Sequence, residues 1–232
     1  MQARRSRGFT LIELIIVVGV VGLLAGLLLP ALASVRQVAH ATTCRNNLSA
    51  LGGALSLYMG EHRGFIPRRG QGVRPLGVID RPSDWFNCLP PYCALPSYQR
   101  LVAEGRKPQE GDDLVIICPR AEDPGGLYFL PYAMNMYLSP WIRPWPHNID
   151  ELPRPSLLVF MADGPGPYSS TVPSKKAYSV VPRHQGKANL VFVDGHVAAF
   201  EGSYLGCGVG DPHRSDVQWE TGSRGINQDP VE

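Results

Sequence analysis

The sequence predicts an α+β fold, in which a long N-terminal helix packs on a small antiparallel β-sheet head. The helix is indicated by an N-terminal apolar run, followed by apolar residues at helical spacing. The sheet is indicated by two apolar, β-prone runs joined by Asp-Gly near the C-terminus. We expect four segments, which are a leader at 1–8, the helix at 9–60, the head at 61–206 and a polar tail at 207–232.

The first half of the predicted helix is long enough to cross a membrane. Residues 14–35 contain no charged side chain, and these 22 positions would form a helix of about 33 Å at ~1.5 Å per residue. The hydrocarbon core of a bilayer is about 30 Å thick. Arg4, Arg5 and Arg7 precede the run, so the positive-inside rule places the N-terminus in the cytoplasm and the head outside.

Three glycines, Gly19, Gly22 and Gly26, and the proline Pro30 interrupt this apolar run. Gly22 and Gly26 form a small-xxx-small face, at which membrane helices approach each other closely, and Pro30 is tolerated in such a helix. A cleaved secretory signal is the alternative, because residues 31–33 (Ala-Leu-Ala) offer a cleavage site. Against it, the run exceeds the usual ~7–15 residues of a signal, and Glu13 lies near its start.

The stretch GFTLIELIIVV at residues 8–18 resembles the leader of type IV prepilins and type II secretion pseudopilins. The resemblance implies a pilin-like fold and a prepilin peptidase that cuts between Gly8 and Phe9 and methylates Phe9. It also implies that Glu13 meets the terminal amine of a neighbouring subunit, and Pro30 matches a proline that recurs in the family. The implied partners are the peptidase/methyltransferase, other pilin-like subunits, an inner-membrane assembly platform and the lipid bilayer.

The helix is predicted to continue past the membrane as an amphipathic segment. Four apolar residues recur there at helical spacing, namely Leu48, Leu51, Leu55 and Tyr58. This stripe should pack on the head. The pair Gly52-Gly53 weakens the helix locally, and Gly60 and Gly64 are candidate stops.

The remainder of the head is predicted from short apolar runs and turn residues. Aromatic residues in and beside the loop at 64–96 should pack inward, and an exposed aromatic binding patch is the alternative. We expect a helical turn at 97–104, strands at 114–118 (LVIIC) and 156–162 (SLLVFMA), and an apolar segment of unassigned type at 128–137. The pair Asp163-Gly164 is expected to close the second of these strands.

The strongest local prediction is a hairpin. The runs at 188–193 (ANLVFV) and 196–200 (HVAAF) are separated by Asp194-Gly195. An Asp-Gly pair between two strands predicts a type I′ turn, in which both central residues have positive φ.

The five cysteines are Cys44, Cys88, Cys93, Cys118 and Cys207. No C-x-x-C occurs, which argues against a zinc site. In an exported head we expect one or two disulfides and a leftover thiol, with a connectivity that the sequence does not give. Five buried, reduced cysteines are the alternative.

His184, Asp194 and Gly195 form a His-x9-Asp-Gly motif. Together with the leader, it resembles a C-terminal motif of pseudopilin-like proteins that are common in planctomycete-type bacteria. Further fragments that fit this group lie at 44–48 (CRNNL), 117–119 (ICP), 132–135 (YAMN) and 162–164 (ADG). The resemblance therefore extends over most of the chain.

We interpret the motif residues first as structural. Asp194 and Gly195 are turn residues, and His184 could hydrogen-bond into a neighbouring turn at Asp163. The alternatives are a calcium site held by Asp163 and Asp194, because hard cations take carboxylate oxygens, and a hydrolase with His184 as base. No G-x-S-x-G nucleophile motif occurs, so we expect no enzyme and no required cofactor.

The predicted function is that of a pilin-like structural subunit in a type II secretion or type IV pilus-like filament. The alternative is a membrane-tethered extracellular binding or metal-binding protein that uses the leader only for export. A net charge of +2 gives no electrostatic reason to expect a nucleic-acid partner. We expect a single-pass protein of the inner membrane, with its head outside.

Overall fold

The computed structural model describes residues 10–70, 79–139, 146–173, 178–210 and 212–221. Contacts within the chain divide it into two units, Met1–Ala39 and His40–Glu232. Helix α1 runs from Leu11 to Glu61 and confirms the long helix predicted at 9–60.

In the first unit, α1 carries an apolar surface that no other part of the described chain covers. Leu14, Leu24 and Leu27 are 54%, 53% and 67% exposed. Among the described residues, α1 is long and apolar enough to cross a membrane. Because burying apolar side chains away from water is the main stabilising term in folding, a helix exposed in this way needs lipid or protein around it.

In the second unit, one face of α1 enters the core of the head. The predicted apolar stripe is buried, and Cys44 and Ala54 join it. Gly52 lies between these residues, where α1 packs closely against residues 191 and 195. A Cβ atom at Gly52 would lie 2.8 Å from Val191 Cγ2 and 2.9 Å from the Gly195 carbonyl oxygen. The amphipathic prediction is therefore confirmed, and Gly52 has a packing reason to be glycine.

The described part of the head contains three short α-helices and five strands. The helices are α2 (Trp85–Cys88), α3 (Tyr98–Ala103) and α4 (Gly202–Leu205). The strands are β1 (Leu130–Asn135), β2 (Val159–Gly166), β3 (Ser170–Thr171), β4 (Lys187–Phe192) and β5 (Val197–Glu201). Helix α3 confirms the turn predicted at 97–104, and Ser97 Oγ caps it by accepting from Arg100 N at 3.2 Å.

The strands form one sheet in the order β3-β1-β2-β4-β5. All neighbours are antiparallel except β1 and β3, so the sheet is mixed where a purely antiparallel one was predicted. Along β4, Val191 packs in the cluster that contains the α1 stripe, whereas Leu190 and Phe192 pack in a second cluster. This alternation follows from the two-residue period of a strand, and it gives the sheet a core on both faces. The predicted inward packing of the aromatic residues is confirmed for Trp85 and Phe86, which are fully buried.

The strand predicted at 114–118 is wrong. The segment turns instead, because Ile117 N donates to the Leu114 carbonyl at 2.8 Å. Asn47 Nδ2 in α1 donates to the Ile117 carbonyl at 2.9 Å. Ile116 and Cys118 are buried, so the apolar run belongs to the core without being a strand.

The predicted end of the strand at Asp163-Gly164 is also wrong. Strand β2 begins three residues later than predicted and continues through both residues to Gly166. At Gly164 the backbone passes close to β1, since an added Cβ would lie 2.5 Å from Ala133 Cβ. Glycine in a strand interior often marks such a close approach. Asp163 is consequently a buried strand residue and not a turn residue.

The hairpin of β4 and β5 is confirmed, but its turn is not type I′. Gly195 N donates to the Phe192 carbonyl at 2.9 Å, so the loop between Phe192 and His196 has three residues. Within this loop only Gly195 has a positive φ, at 91°. A turn followed by a left-handed glycine is the common three-residue hairpin loop. Asp194 keeps a negative φ, and its Oδ1 accepts from His196 N at 3.1 Å.

The tail predicted as irregular contributes to the core. Val217 and Trp219 are each only 2% exposed and pack in the second cluster of the sheet. Gln218 pairs with Leu158 next to β2, and Asn135 Nδ2 donates to the Trp219 carbonyl at 2.8 Å. The globular head therefore extends to at least Thr221, the last described residue.

We predict opposite effects for alanine at the two adjacent glycines of α1. Gly52→Ala should destabilise the chain by about 1–2 kcal/mol, because the new methyl group overpacks against Val191 and the hairpin backbone. Gly53→Ala should stabilise it by up to about 1 kcal/mol, because alanine is the better helix former and an added Cβ there has nothing within 4 Å. Denaturant unfolding of the full chain in detergent measures both. Equal stabilities of the two variants would contradict the packing assigned to Gly52.

Candidate functional site

The predicted cleavage residues Gly8 and Phe9 lie outside the described residues, but the predicted assembly residue Glu13 is described. Glu13 Oε2 accepts hydrogen bonds from Thr10 N at 2.9 Å and from Thr10 Oγ1 at 2.8 Å. In return, Thr10 Oγ1 accepts from Glu13 N at 3.3 Å. This reciprocal pair is a capping box, which satisfies amide groups at the start of α1. Within the single chain, Glu13 therefore has partners in its own helix.

The other predicted assembly residues lie within α1 and face nothing in the described chain. A Cβ added at Gly22 or Gly26 would meet no described atom within 4 Å. Pro30 has no amide hydrogen, so the carbonyl of Gly26, four residues earlier, lacks its usual helical donor. The small-residue face and the proline thus leave one region of α1 open to close approach by another helix.

In the head, the sequence fragments singled out above converge on one place, which we call the buried cluster. Its members are Cys44, Cys118, Asp163, Arg183 and His184. Cys44 and Cys118 form a disulfide across 74 residues of sequence. His184 Nε2 lies 3.6 Å from Cys118 Sγ and 3.4 Å from Asp163 Oδ2. The predicted contact between His184 and Asp163 is therefore present, and it lies beside a disulfide.

Asp163 and Arg183 form the charged part of the buried cluster. Arg183 Nη1 lies 3.8 Å from Asp163 Oδ1 and donates to the Pro131 carbonyl at 2.9 Å, and Arg183 Nη2 donates to the Gly164 carbonyl. Asp163 Oδ2 accepts from Asn189 N at 2.7 Å, which ties β2 to β4. Burial lowers the pKa of the Arg183 guanidinium, and the Asp163 carboxylate opposes this shift. The pair is held by backbone groups of three segments, at Pro131, Gly164 and Asn189.

Tyr132 connects the buried cluster to α1. Its hydroxyl donates to the Cys44 carbonyl at 3.4 Å. Burial, helped by the negative charge of Asp163, raises the pKa of Tyr132 well above its usual range. The hydroxyl therefore keeps its proton and remains a donor. The disulfide, Tyr132 and Asn47 together fasten α1 to the rest of the head.

The structure does not bring the two proposed calcium ligands together. Asp163 contacts Asn189, which lies five residues before Asp194 along the hairpin. At ~3.3 Å per strand residue this corresponds to roughly 16 Å. Asp194 is exposed in the hairpin turn, where its Oδ1 lies 2.7 Å from His196 Nδ1. One ion held by both carboxylates has no support in this geometry.

The described part of the head also has a cavity of about 720 Å³ at the C-terminal end of α1. Tyr58, Glu61, His62 and Tyr92 are among its lining residues, and Tyr92 donates to Glu61 at 2.5 Å. None of the predicted site residues lines this cavity. The buried cluster and the cavity are therefore separate features of the head.

Comparisons with known proteins identify both the start of the chain and a longer region. Residues 3–29 match the family model described as the prokaryotic N-terminal methylation motif. Type II secretion system core protein G of Escherichia coli K12 is 30% identical over 117 residues, which are 50% of this chain and 74% of that relative. The chain belongs to the family of type II secretion system core protein G.

Two further members of the core protein G family match shorter regions. The Pseudomonas aeruginosa protein is 36% identical over 76 residues, which are 33% of this chain and 53% of that protein. The Klebsiella pneumoniae protein is 36% identical over 73 residues, which are 32% of this chain and 51% of that protein. The chain thus spans about half the length of these two relatives. No solved structure matches it.

Membership in the core protein G family confirms the pilin-like resemblance of the leader. The methylation motif includes Gly8, Phe9 and Glu13 together with Gly22 and Gly26, and it ends just before Pro30. Their individual roles stay predictions.

Sequence reasoning missed three features of the head. It left the Cys44–Cys118 pairing open, gave no role to Arg183, and treated Gly52 only as a weak helix residue. The signal for the pairing was present, because each of the two cysteines belongs to a fragment that fits the His-x9-Asp-Gly group. Arg183 directly precedes the motif histidine, but its partners come from β1 and β2 and cannot be read locally.

We predict unequal effects for alanine at the two aspartates. Asp163→Ala should destabilise the chain by about 3–5 kcal/mol, because it leaves the buried Arg183 charge without its carboxylate. Asp194→Ala should cost about 1 kcal/mol or less, because Asp194 is exposed. Denaturant unfolding of the full chain in detergent compares them. If both variants lose the same stability, Asp163 is not the centre of the cluster.

Proposed function

We propose that this chain is a structural subunit of a type II secretion or type IV pilus-like filament, anchored and assembled through α1. The observation that carries the proposal is the methylation motif at residues 3–29, because its part at 11–29 lies in α1 and residues 11–38 of this helix are exposed. The name of its relatives describes a core protein of a secretion system, which supports a structural role. The proposed location is the inner membrane, with the head outside.

Processing is the first step of this proposal. A prepilin peptidase cuts between Gly8 and Phe9 on the cytoplasmic side and methylates the new terminal amine of Phe9. Gly8 has no side chain that could obstruct the cut. The motif match covers both residues and supports this assignment. The other proposed partners are further pilin-like subunits and an inner-membrane assembly platform.

Assembly requires Glu13 to have two alternative sets of partners. In the single chain, its carboxylate caps α1 through Thr10. In the filament, we propose that the Glu13 carboxylate lies against the positively charged amine of Phe9 in a neighbouring subunit. An ion pair in a low-dielectric setting is favourable only when both charges are well partnered, so the pair would set the register between adjacent helices. Gly22 and Gly26 would let those helices approach closely.

A catalytic role is not part of the proposal. In the described part of the head, His184 is 8% exposed, and its Nε2 faces a disulfide and not a free nucleophile. Tethering without assembly is the competing function, and the co-purification measurement below distinguishes it from filament assembly.

We predict that the mature chain begins at methylated Phe9. Intact-mass measurement of the membrane-extracted protein should show the loss of residues 1–8 and the gain of one methyl group. A Gly8→Glu variant should keep the full-length mass, because a bulky charged side chain replaces the small residue at the cut. A mature chain that begins at Ser34 would show that the segment is an ordinary secretory signal.

We predict that two variants of Glu13 separate its capping role from its charge. Glu13→Gln keeps an oxygen that can accept from Thr10, since glutamine also serves in a capping box, but it cannot form an ion pair with an amine. Glu13→Ala loses both functions. Both variants should be processed after Gly8, and both should fail to enter filaments. Incorporation is measured by co-purification with a tagged wild-type copy.

The outcome for Glu13→Gln decides between the two roles. If Glu13→Gln assembles as the wild type does and only Glu13→Ala fails, the cap is what matters and the intermolecular ion pair is wrong. If both variants assemble normally, Glu13 does not set the register between helices. If the untagged wild-type chain itself fails to co-purify with the tagged copy, a tethered head is the better account of this chain.

A further inference from the structure

The buried cluster contains a set of metal-ligand atoms that the disulfide now occupies. The sulfurs of Cys44 and Cys118 and a ring nitrogen of His184 all lie within 4.8 Å of one another, and all three residues are buried. We propose that the reduced chain binds one Zn²⁺ ion through Cys44, Cys118 and His184. The ion and the disulfide are then mutually exclusive ways of closing the same site.

One distance in the oxidised chain already matches that of a zinc site. In tetrahedral geometry, Zn–S bonds of about 2.3 Å and Zn–N bonds of about 2.0–2.1 Å place a sulfur and a nitrogen ligand about 3.6 Å apart. Cys118 Sγ and His184 Nε2 are 3.6 Å apart. Two sulfur ligands of one zinc ion lie about 3.8 Å apart. Once the disulfide is reduced, the two sulfurs must move apart to this separation, and their Cα atoms, 5.1 Å apart, can stay in place while the side chains rotate.

The imidazole of His184 faces this site with its Nε2 atom. Its Nε2 makes the contacts to Cys118 and Asp163, whereas Nδ1 is buried without a hydrogen-bond partner among the described residues. Asp163 Oδ2 is 3.4 Å from Nε2 and so lies beside the site, but among the described residues the ligand atoms grouped within 4.8 Å of one another are those of Cys44, Cys118 and His184. A water molecule would take the fourth position of the tetrahedral ion.

The charges of the buried cluster also suit a divalent ion. Two thiolates and the Asp163 carboxylate carry three negative charges, and Zn²⁺ with Arg183 supplies three positive ones. A site that is neutral overall costs least to bury. The soft sulfur and imidazole ligands favour zinc over calcium or magnesium, which prefer oxygen.

The disulfide state and the zinc-bound state are connected by a reduction step and a metal-binding step. A phosphine reductant with one water molecule converts the Cys44–Cys118 disulfide to two thiols and is itself oxidised to the phosphine oxide. Zinc then displaces one proton from each thiol. The same sulfurs cannot form the S–S bond while both bind the ion. Because the three ligands come from distant parts of the chain, the absence of C-x-x-C does not bear on this site.

The test compares zinc binding by the reduced and the oxidised full chain in detergent. The chain is reduced with a phosphine, mixed with Zn²⁺ and desalted, and bound zinc is counted by elemental analysis. We expect one zinc per reduced chain and none per oxidised chain. With Co²⁺ as a probe, the reduced chain should show sulfur-to-cobalt charge-transfer absorption. A reduced wild-type chain that binds no zinc, whether it is folded or not by circular dichroism, overturns the proposal.

Variants identify the ligands. Cys44→Ser and Cys118→Ser should lose zinc and the cobalt absorption, and His184→Gln should weaken zinc binding by about 100-fold or more, since even supporting residues cost 10–100-fold. His184→Gln should still form the disulfide, which shows that its fold is intact. A control chain with serine at Cys88, Cys93 and Cys207, the three free cysteines, should keep its zinc. Zinc that is lost in this control, or retained at wild-type affinity in His184→Gln, contradicts the assigned site.

Discussion

The burial of one face of α1 against the sheet is the contact on which the rest of the head depends. Between Cys44 and Tyr58 the helix contributes its apolar stripe to the larger of the two cores. Gly52 allows the helix to touch the hairpin backbone, and the Cys44–Cys118 disulfide fixes its start within the head. In the chain-entropy account, a cross-link over 74 residues stabilises by about 4 kcal/mol, because it constrains the unfolded chain. Packing and covalent linkage therefore act on the same short segment of α1.

As a result, the two halves of α1 have different surroundings. From residue 40 onward, one face of α1 is buried in the core of the head. Before residue 40, the apolar side chains of α1 are exposed and no other part of the described chain covers them. The capping box of Thr10 and Glu13 stabilises the start of that uncovered segment. A helix that is packed in the head at its C-terminal end and exposed at its N-terminal end suits the proposed subunit, which would be anchored in lipid and then packed among neighbouring subunits.

Patterns that are local in sequence predicted the structure well. The 3.6-residue period gave α1 and its buried stripe, Ser97 marked the start of α3, and Asp194-Gly195 marked the hairpin. Apart from the turn type of the β4–β5 hairpin, the failures discussed here involve partners that are distant along the chain. Asp163-Gly164 has the composition of a turn, but Asp163 lies inside a strand because Arg183 and Asn189 satisfy its carboxylate. The run LVIIC has the composition of a strand, but Asn47 of α1 binds its turning backbone. The sequence fragments marked Cys44 and Cys118, but their pairing itself depends on how α1 packs in the head.

Site-specific photo-crosslinking from the uncovered part of α1 tests the central claim most directly. A photoreactive residue at Leu24, which is 53% exposed, is compared in intact host cells with one at Val209 in the head, which is 92% exposed. The account predicts that Leu24 captures the N-terminal helix of a second copy or of another prepilin-type chain, identified by mass spectrometry, and that Val209 does not capture that helix. Capture of lipid alone at Leu24, under conditions in which the secretion machine is active, would contradict assembly through α1.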